Sequence, residues 1–87
     1  SMTPFKLTVS SPDGNKYEGD VVQFTVRGTE GELAVLAGHI PFVTSVTKGK
    51  CDLWTDGETK REAYSDGGIL CVSEEGATFI SGSFRFL

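Results

Sequence analysis

Residues 50–65 read KCDLWTDGETKREAYS. On either side of Asp56-Gly57 apolar and polar residues alternate, with Cys51 and Leu53 in one phase and Trp54 in the other. That is period two, the signature of strands. Asp-Gly between two such arms predicts a hairpin, because the glycine can supply the positive φ that a tight tip needs. Trp54 reads as a second-face or rim aromatic covering sheet, since no second aromatic sits beside it in phase to make a stacking site.

The same period recurs outward from this hairpin. Phe5, Leu7 and Val9 alternate, as do Val22, Phe24 and Val26, and so do Thr78 and Ile80 against Ala77 and Phe79. Between these segments lie turn residues: SPDGN at 11–15, KG at 48–49, DGG at 66–68 and EEG at 74–76. Eleven glycines and three prolines leave no interval free of both longer than nine residues, Glu58 to Asp66. A helix of ordinary length, about 11–12 residues, has no room. Strand ends every 8 to 12 residues predict an all-β sandwich or barrel. The chain ends on SFRFL (83–87), where Phe84, Phe86 and Leu87 are expected to pack as a last strand or on a partner.

With 87 residues the chain is expected to be one domain, 1–87, with Ser1 an addition ahead of Met2 that lies outside the fold argument. Its 38% hydrophobic and 23% charged residues are ordinary globular usage. A net charge of −4 argues against nucleic acid or an anionic membrane surface as partner, and the closest basic cluster, Lys60-Arg61, is flanked by Glu58 and Glu62. No apolar run approaches the ~18–20 residues of a membrane span. SMTPFKLT at the start has no charged-then-apolar signal pattern, so a cytoplasmic chain is expected. Cys51 and Cys71 lie twenty positions apart and are expected to be reduced thiols; with one histidine in the chain they make no zinc set.

The residues hold little for catalysis. Gly49-Lys50-Cys51 resembles the end of a phosphate loop, but Thr44 stands at the first glycine and Cys51 at the magnesium-binding Ser/Thr. No HExxH, GxSxG or GxGxxG occurs. Asp20, Glu30, Glu32 and Asp66 are not placed by their spacing in one pocket. No catalytic residue, cofactor or metal is expected.

What stands out is GTEGELAVLAGHIPFVTSVTKG, residues 28–49. Gly28, Gly31 and Gly38 permit tight reversals, Leu33, Val35 and Leu36 form a short apolar strand, and Pro41 holds His39-Ile40 extended ahead of Phe42-Val43. By pattern alone this stiff loop is as well explained by a corner between sheets as by a recognition surface.

Three blocks in order resemble the amino-terminal β-sandwich of the epsilon subunit of F-type ATP synthase: FKLTVSSPDGNKYEGDV (5–21), GTEGELAVLAGHIPFVTSVTKG (28–49) and SDGGILCVSEEGATFIS (65–81). The middle block is the specific one, similar to a family pattern G-x-x-G-x-x-G-[IV]-L-P-G-H-x-P followed by Leu-Leu-Thr. Gly67-Gly68 before an apolar strand is a second match. Ala37 departs from the family's proline, Phe42-Val43 from its leucine pair, and Cys71 falls at a position often polar in the family.

The resemblance implies a two-sheet β-sandwich of about ten short strands in a non-catalytic accessory subunit of the central stalk. That subunit links the gamma subunit to the c ring, couples proton flow to ATP synthesis, and lies peripherally at the cytoplasmic face of a bacterial plasma membrane without inserting into it. Thr29, Glu30, Gly31 and Glu32 match the part that faces the polar loop of the c ring, where an arginine would meet Glu32; His39 and Phe42 match positions near gamma or the ring. A direct contact by His39 stands level with a loop histidine bonded to backbone. Family members usually continue into a helical pair, and these residues stop short of it, so inhibition of hydrolysis and nucleotide binding are not expected of them. The alternative is a free-standing ligand-binding β-sandwich, for which Trp54, Tyr64 and Tyr17 are the scattered aromatic candidates.

Overall fold

The computed structural model describes residues 3–87, and every regular element among them is a strand. The ten are β1 (Phe5–Ser11), β2 (Gly14–Val21), β3 (Gln23–Gly28), β4 (Gly31–Val35), β5 (Phe42–Val46), β6 (Gly49–Trp54), β7 (Lys60–Ser65), β8 (Gly68–Ser73), β9 (Gly76–Ser81) and β10 (Phe84–Phe86). The alternation predicted from sequence holds: Leu7, Val9, Phe24, Val26, Cys51, Leu53, Leu70, Val72, Ala77 and Phe79 all point inward and are buried.

The strands follow one hydrogen-bonded path, β10-β7-β6-β3-β5-β8-β9-β1-β2, with β4 attached to β3 alone. All neighbours are antiparallel except β1 and β9, which run parallel. The path folds into two layers because β3 changes partner along one edge. Its first residues, Gln23 to Thr25, pair with β6, and its last, Gly28, pairs with Val46 of β5. Phe24 of β3 then faces Phe79 of β9 across the core, ring centroids 5.8 Å apart, and Phe79 meets Phe84 of β10 edge-on at 6.2 Å. The two ends of the path also meet: Tyr17 of β2 lies 6.3 Å from Phe86 of β10. The result is a β-sandwich whose wrapped sheet is nearly a barrel. Phe84 is buried and Phe86 half-buried, so the apolar terminus packs on its own sandwich as β10, with Leu87 left exposed.

Turn chemistry differs from expectation at one place. Gly57 does not take a positive φ. Instead the loop between β6 and β7 is wider, and Asp56 organises it: its carboxylate accepts from the backbone N–H of Glu58 at 2.8 Å and of Thr59 at 2.7 Å. A side-chain acceptor replaces the left-handed backbone that a two-residue tip would need. Gly67-Gly68 has a packing reason as well. A Cβ on Gly68 would run into the Ile80 carbonyl oxygen. Around the pair, the buried Ser81 hydroxyl donates to the Gly67 carbonyl at 2.7 Å and the Gly67 N–H donates to Ser65 Oγ at 3.1 Å.

Both cysteines are free. Cys51 is buried, and burial pushes its thiol up from its ordinary range. Cys71, out of phase with Leu70 and Val72, is half-buried on the outer face. Trp54 is also half-buried and outward, with the Lys60 ammonium 5.5 Å from its ring centroid, as a rim aromatic should be.

Candidate docking site on β4 and its flanking loops

Pairing of Gly28 with Gly31 leaves Thr29 and Glu30 as the two residues of the β3–β4 turn. Both keep a negative φ, and the reversal is completed at Gly31, whose φ of 122° is open to glycine and strained for other residues. Thr29, Glu30, Gly31 and Glu32 are all exposed. The four candidates at this end therefore form one continuous surface.

Glu32 sits directly across the ladder from Arg27, on the outer face. Opposite charges so placed can attract, yet neither takes part in an ion pair among the described residues. They line a small recess of about 130 Å³ together with Val26, Lys50 and Asp52. Asp52 Oδ1 is shielded from solvent there and has no hydrogen-bond partner. Arg27, Lys50 and Asp52 went unnoticed in the sequence, although the strand period that sends Cys51 inward also sends Lys50 and Asp52 outward.

His39 and Phe42 stand elsewhere. β4 carries the chain about 17 Å away from the turn, at ~3.3 Å per residue, before Leu36 to Pro41 loop round into β5. The His39 and Phe42 rings pack at 4.8 Å between centroids, tilted by 50°. His39 Nδ1 lies 3.2 Å from the Ile40 carbonyl oxygen, within reach of a bond to it in the tautomer that carries the hydrogen on Nδ1. The predicted site is thus two clusters, one at each end of β4. β4 itself stops at Val35, and Leu36, predicted as its last apolar residue, leaves the strand and is 41% exposed.

The loop opens a cleft of about 440 Å³, walled by Pro4, Phe5, Leu36, Ile40, Pro41 and Val72 and rimmed by Glu74 and Glu75. Among the described residues Ile40 is the most exposed large apolar one, at 75%. Sequence reasoning placed it in the loop but had no signal for its exposure, which depends on how the β8–β9 turn lies beside it. Among the described residues no group of three or more His, Cys, Asp or Glu side chains could hold a metal ion.

Glu30, Glu32, Leu36 and Ile40 are thus exposed along one edge strand and its flanking loops, although exposed carboxylates and apolar side chains, among them Asp13, Glu18, Val43, Ile69 and Ile80, occur elsewhere on the sandwich as well. Residues 4–85 match the model of the ATP synthase delta/epsilon chain β-sandwich domain, and the chain belongs to that family, on its epsilon side. It is 38% identical over 74 residues to the ATP synthase epsilon chain of Ruminococcus albus, covering 85% of this chain and 54% of that one. It is 35% identical over 80 residues to the epsilon chain of Bacillus subtilis, covering 92% and 60%. The chain therefore spans between half and two thirds of the length of these curated relatives. In three dimensions it is similar, with a TM-score of 0.89 at 24% identity, to a chain in a cryo-EM structure of Euglena gracilis mitochondrial ATP synthase (OSCP/F1/c-ring, rotational state 1), covering 99% of this chain and 56% of that chain. A second likeness is to a chain of the central stalk and c ring of Tetrahymena thermophila mitochondrial ATP synthase, TM-score 0.79 at 11% identity. At these identities the likeness concerns the fold.

Proposed function

We propose that these residues act as one domain, the docking sandwich of an ATP synthase rotor. It would hold the gamma subunit and the c ring together so that ring rotation reaches the catalytic head, and would carry out no chemistry of its own. Membership of the epsilon family supports this reading, as do the two solved assemblies in which chains of the same fold are described with a c ring. The observation that carries it furthest is the β3–β4 turn, where Thr29, Glu30, Gly31 and Glu32 project together and Glu32 keeps its carboxylate out of any ion pair among the described residues. A cationic side chain of the ring fits that carboxylate. An exposed pair is worth only about 0–1 kcal/mol, so its part is to set register more than to supply affinity. His39 and Phe42, at the far end of β4, face gamma or the ring in the same reading. The working place is peripheral, at the cytoplasmic face of a bacterial plasma membrane.

A free-standing ligand-binding sandwich has less to support it. None of Trp54, Tyr64 and Tyr17 lines the cleft beside β4. The test is Glu32→Lys in an enzyme reconstituted with this chain as its epsilon subunit. ATP hydrolysis is expected to continue while proton pumping per ATP falls; unchanged pumping removes Glu32 from the ring contact.

A further inference from the structure

Among the described residues the outer edge of β4 is open, and hydrogen bonds on the far side of β3 reveal which of its groups face outward. The Thr47 N–H donates to the Arg27 carbonyl oxygen at 2.8 Å, and the Thr47 hydroxyl donates to the same oxygen at 3.1 Å. Arg27 therefore turns its carbonyl away from β4. In an antiparallel ladder, pairs that exchange both backbone bonds alternate with pairs that exchange none. Arg27 and Glu32 are thus a non-bonded pair, and so, two residues along, are Thr25 and Ala34. Glu32 and Ala34 accordingly send their N–H and C=O groups beyond the sheet. β4 pairs with no strand but β3, and among the described residues no turn or loop backbone reaches those four groups.

Natural sheets guard such edges with proline, bulges, lysines or burial, because a row of unpaired backbone groups is a template for another chain. A charged side chain on the edge is a further guard, and Glu32 is the one such feature of β4, which has no proline, lysine or bulge. Its register with β3 is uninterrupted from Gly31 to Val35, and Glu32 is its single charge. Just past Val35 the edge runs into the cleft walled by Leu36 and Ile40. Acidic side chains stand at both ends: Glu30 and Glu32 by the turn, Glu74 and Glu75 at the cleft, and none of them is ion-paired among the described residues.

The geometry points to strand addition. An extended segment of a partner protein joins β4 through the backbone of Glu32 and Ala34, with a basic side chain against Glu32, an apolar one in the Leu36–Ile40 cleft and a second basic one at Glu74-Glu75. Main-chain bonds to a sheet edge hold the segment, and the pockets for its side chains select it. Such a segment spans the distance between the two clusters of candidate residues, so the turn and the His39–Phe42 loop become the two ends of one interface. This rests on the docking reading above and adds the mode of contact to it.

The experiment uses the whole 87-residue chain and a purified gamma–c-ring subcomplex from the same organism. Ala34→Pro removes an outward N–H that the intrachain ladder does not use, and proline is tolerated on an edge in that orientation. The variant is expected to keep its circular dichroism and urea midpoint and to bind about tenfold or more weakly, as the loss of an edge bond and the intrusion of the ring imply. In the wild type, amide exchange at Glu32 and Ala34 is expected to be fast in the free chain and slowed at least about tenfold in the complex. If Ala34→Pro does not fold, the exchange measurement decides alone. Wild-type binding with those two amides unprotected, or a folded Ala34→Pro that binds as well as wild type, overturns strand addition and leaves docking by side chains. Failure of the wild type to bind overturns the docking reading and this one with it.

Discussion

Phe86→Ala probes the seam where the two ends of the strand path meet without hydrogen bonds. Phe86 is half-buried, so truncation loses about half the burial value of a full Phe side chain, roughly 1 kcal/mol. It also loses edge-on contacts with Phe84 at 5.4 Å and Tyr17 at 6.3 Å, and the Arg61 guanidinium stacked 3.8 Å over its ring. Aromatic pairs add about 0.5–1.5 kcal/mol beyond area, and an exposed cation over a ring about 0.5–1 kcal/mol. The cavity contribution is small because the site opens to water. Because the site opens to water each contribution falls at the low end of its range, so a total of about 2.5 kcal/mol is expected, against roughly 4–13 kcal/mol for a domain of this length. In a thermal melt that is a drop of roughly 10–20 °C. The seam itself is isolated by urea unfolding of Phe86→Ala, Tyr17→Ala and the double variant, where a coupling of about 0.5–1.5 kcal/mol is expected. A coupling below about 0.3 kcal/mol would mean the ends do not touch in solution, and the closed sandwich described above would be wrong at β2 and β10.

Gly68→Ala places a methyl group against the Ile80 carbonyl oxygen, so the strands must separate where β8 begins and β9 ends; a loss of about 2 kcal/mol or more is expected in urea unfolding, and a neutral variant would show that the pair is not that close. Stability should also fall in acid through Asp56, whose carboxyl lies below its ordinary value because backbone N–H groups of Glu58 and Thr59 donate to the ionised form. A depressed carboxyl contributes stability that is complete above its unfolded value and is lost as pH falls through the folded one. Glu62, held down by Lys50 and Lys60, and Asp13, held down by Lys16 and Ser11, act in the same direction. Urea midpoints of wild type and Asp56→Asn measured from pH 7 to pH 2 should differ in slope below about pH 4; parallel curves would remove Asp56 from that dependence.

How much of this was legible beforehand depends on the range of the interaction involved. Strand identity is local: side chains alternate across a pleat, so Leu7 with Val9, Phe24 with Val26 and Cys51 with Leu53 announced both the strands and their inward faces before any partner was known. That Gly28 and Gly31 permit a reversal is local too, whereas Thr29 to Glu32 were singled out by the family resemblance and not by the pattern of residues. The Asp56 loop was misjudged because an aspartate can close a turn through its side chain as readily as Asp-Gly can through the backbone, and residue type alone does not choose between them.

Pairing between distant strands is another matter, since a period of two says which face is buried but not which strand lies alongside. Only the tertiary structure put β1 parallel to β9, brought Phe86 to Tyr17 and let β3 exchange β6 for β5 along one edge. That exchange determined what β4 offers to a partner. With its other edge taken first by Asp52 and then by Val46, β3 holds β4 on one side only, and the backbone of Glu32 and Ala34 is left facing outward. The carboxylate of Glu32 could be read from the sequence; the open edge beneath it comes from contacts made across the whole chain.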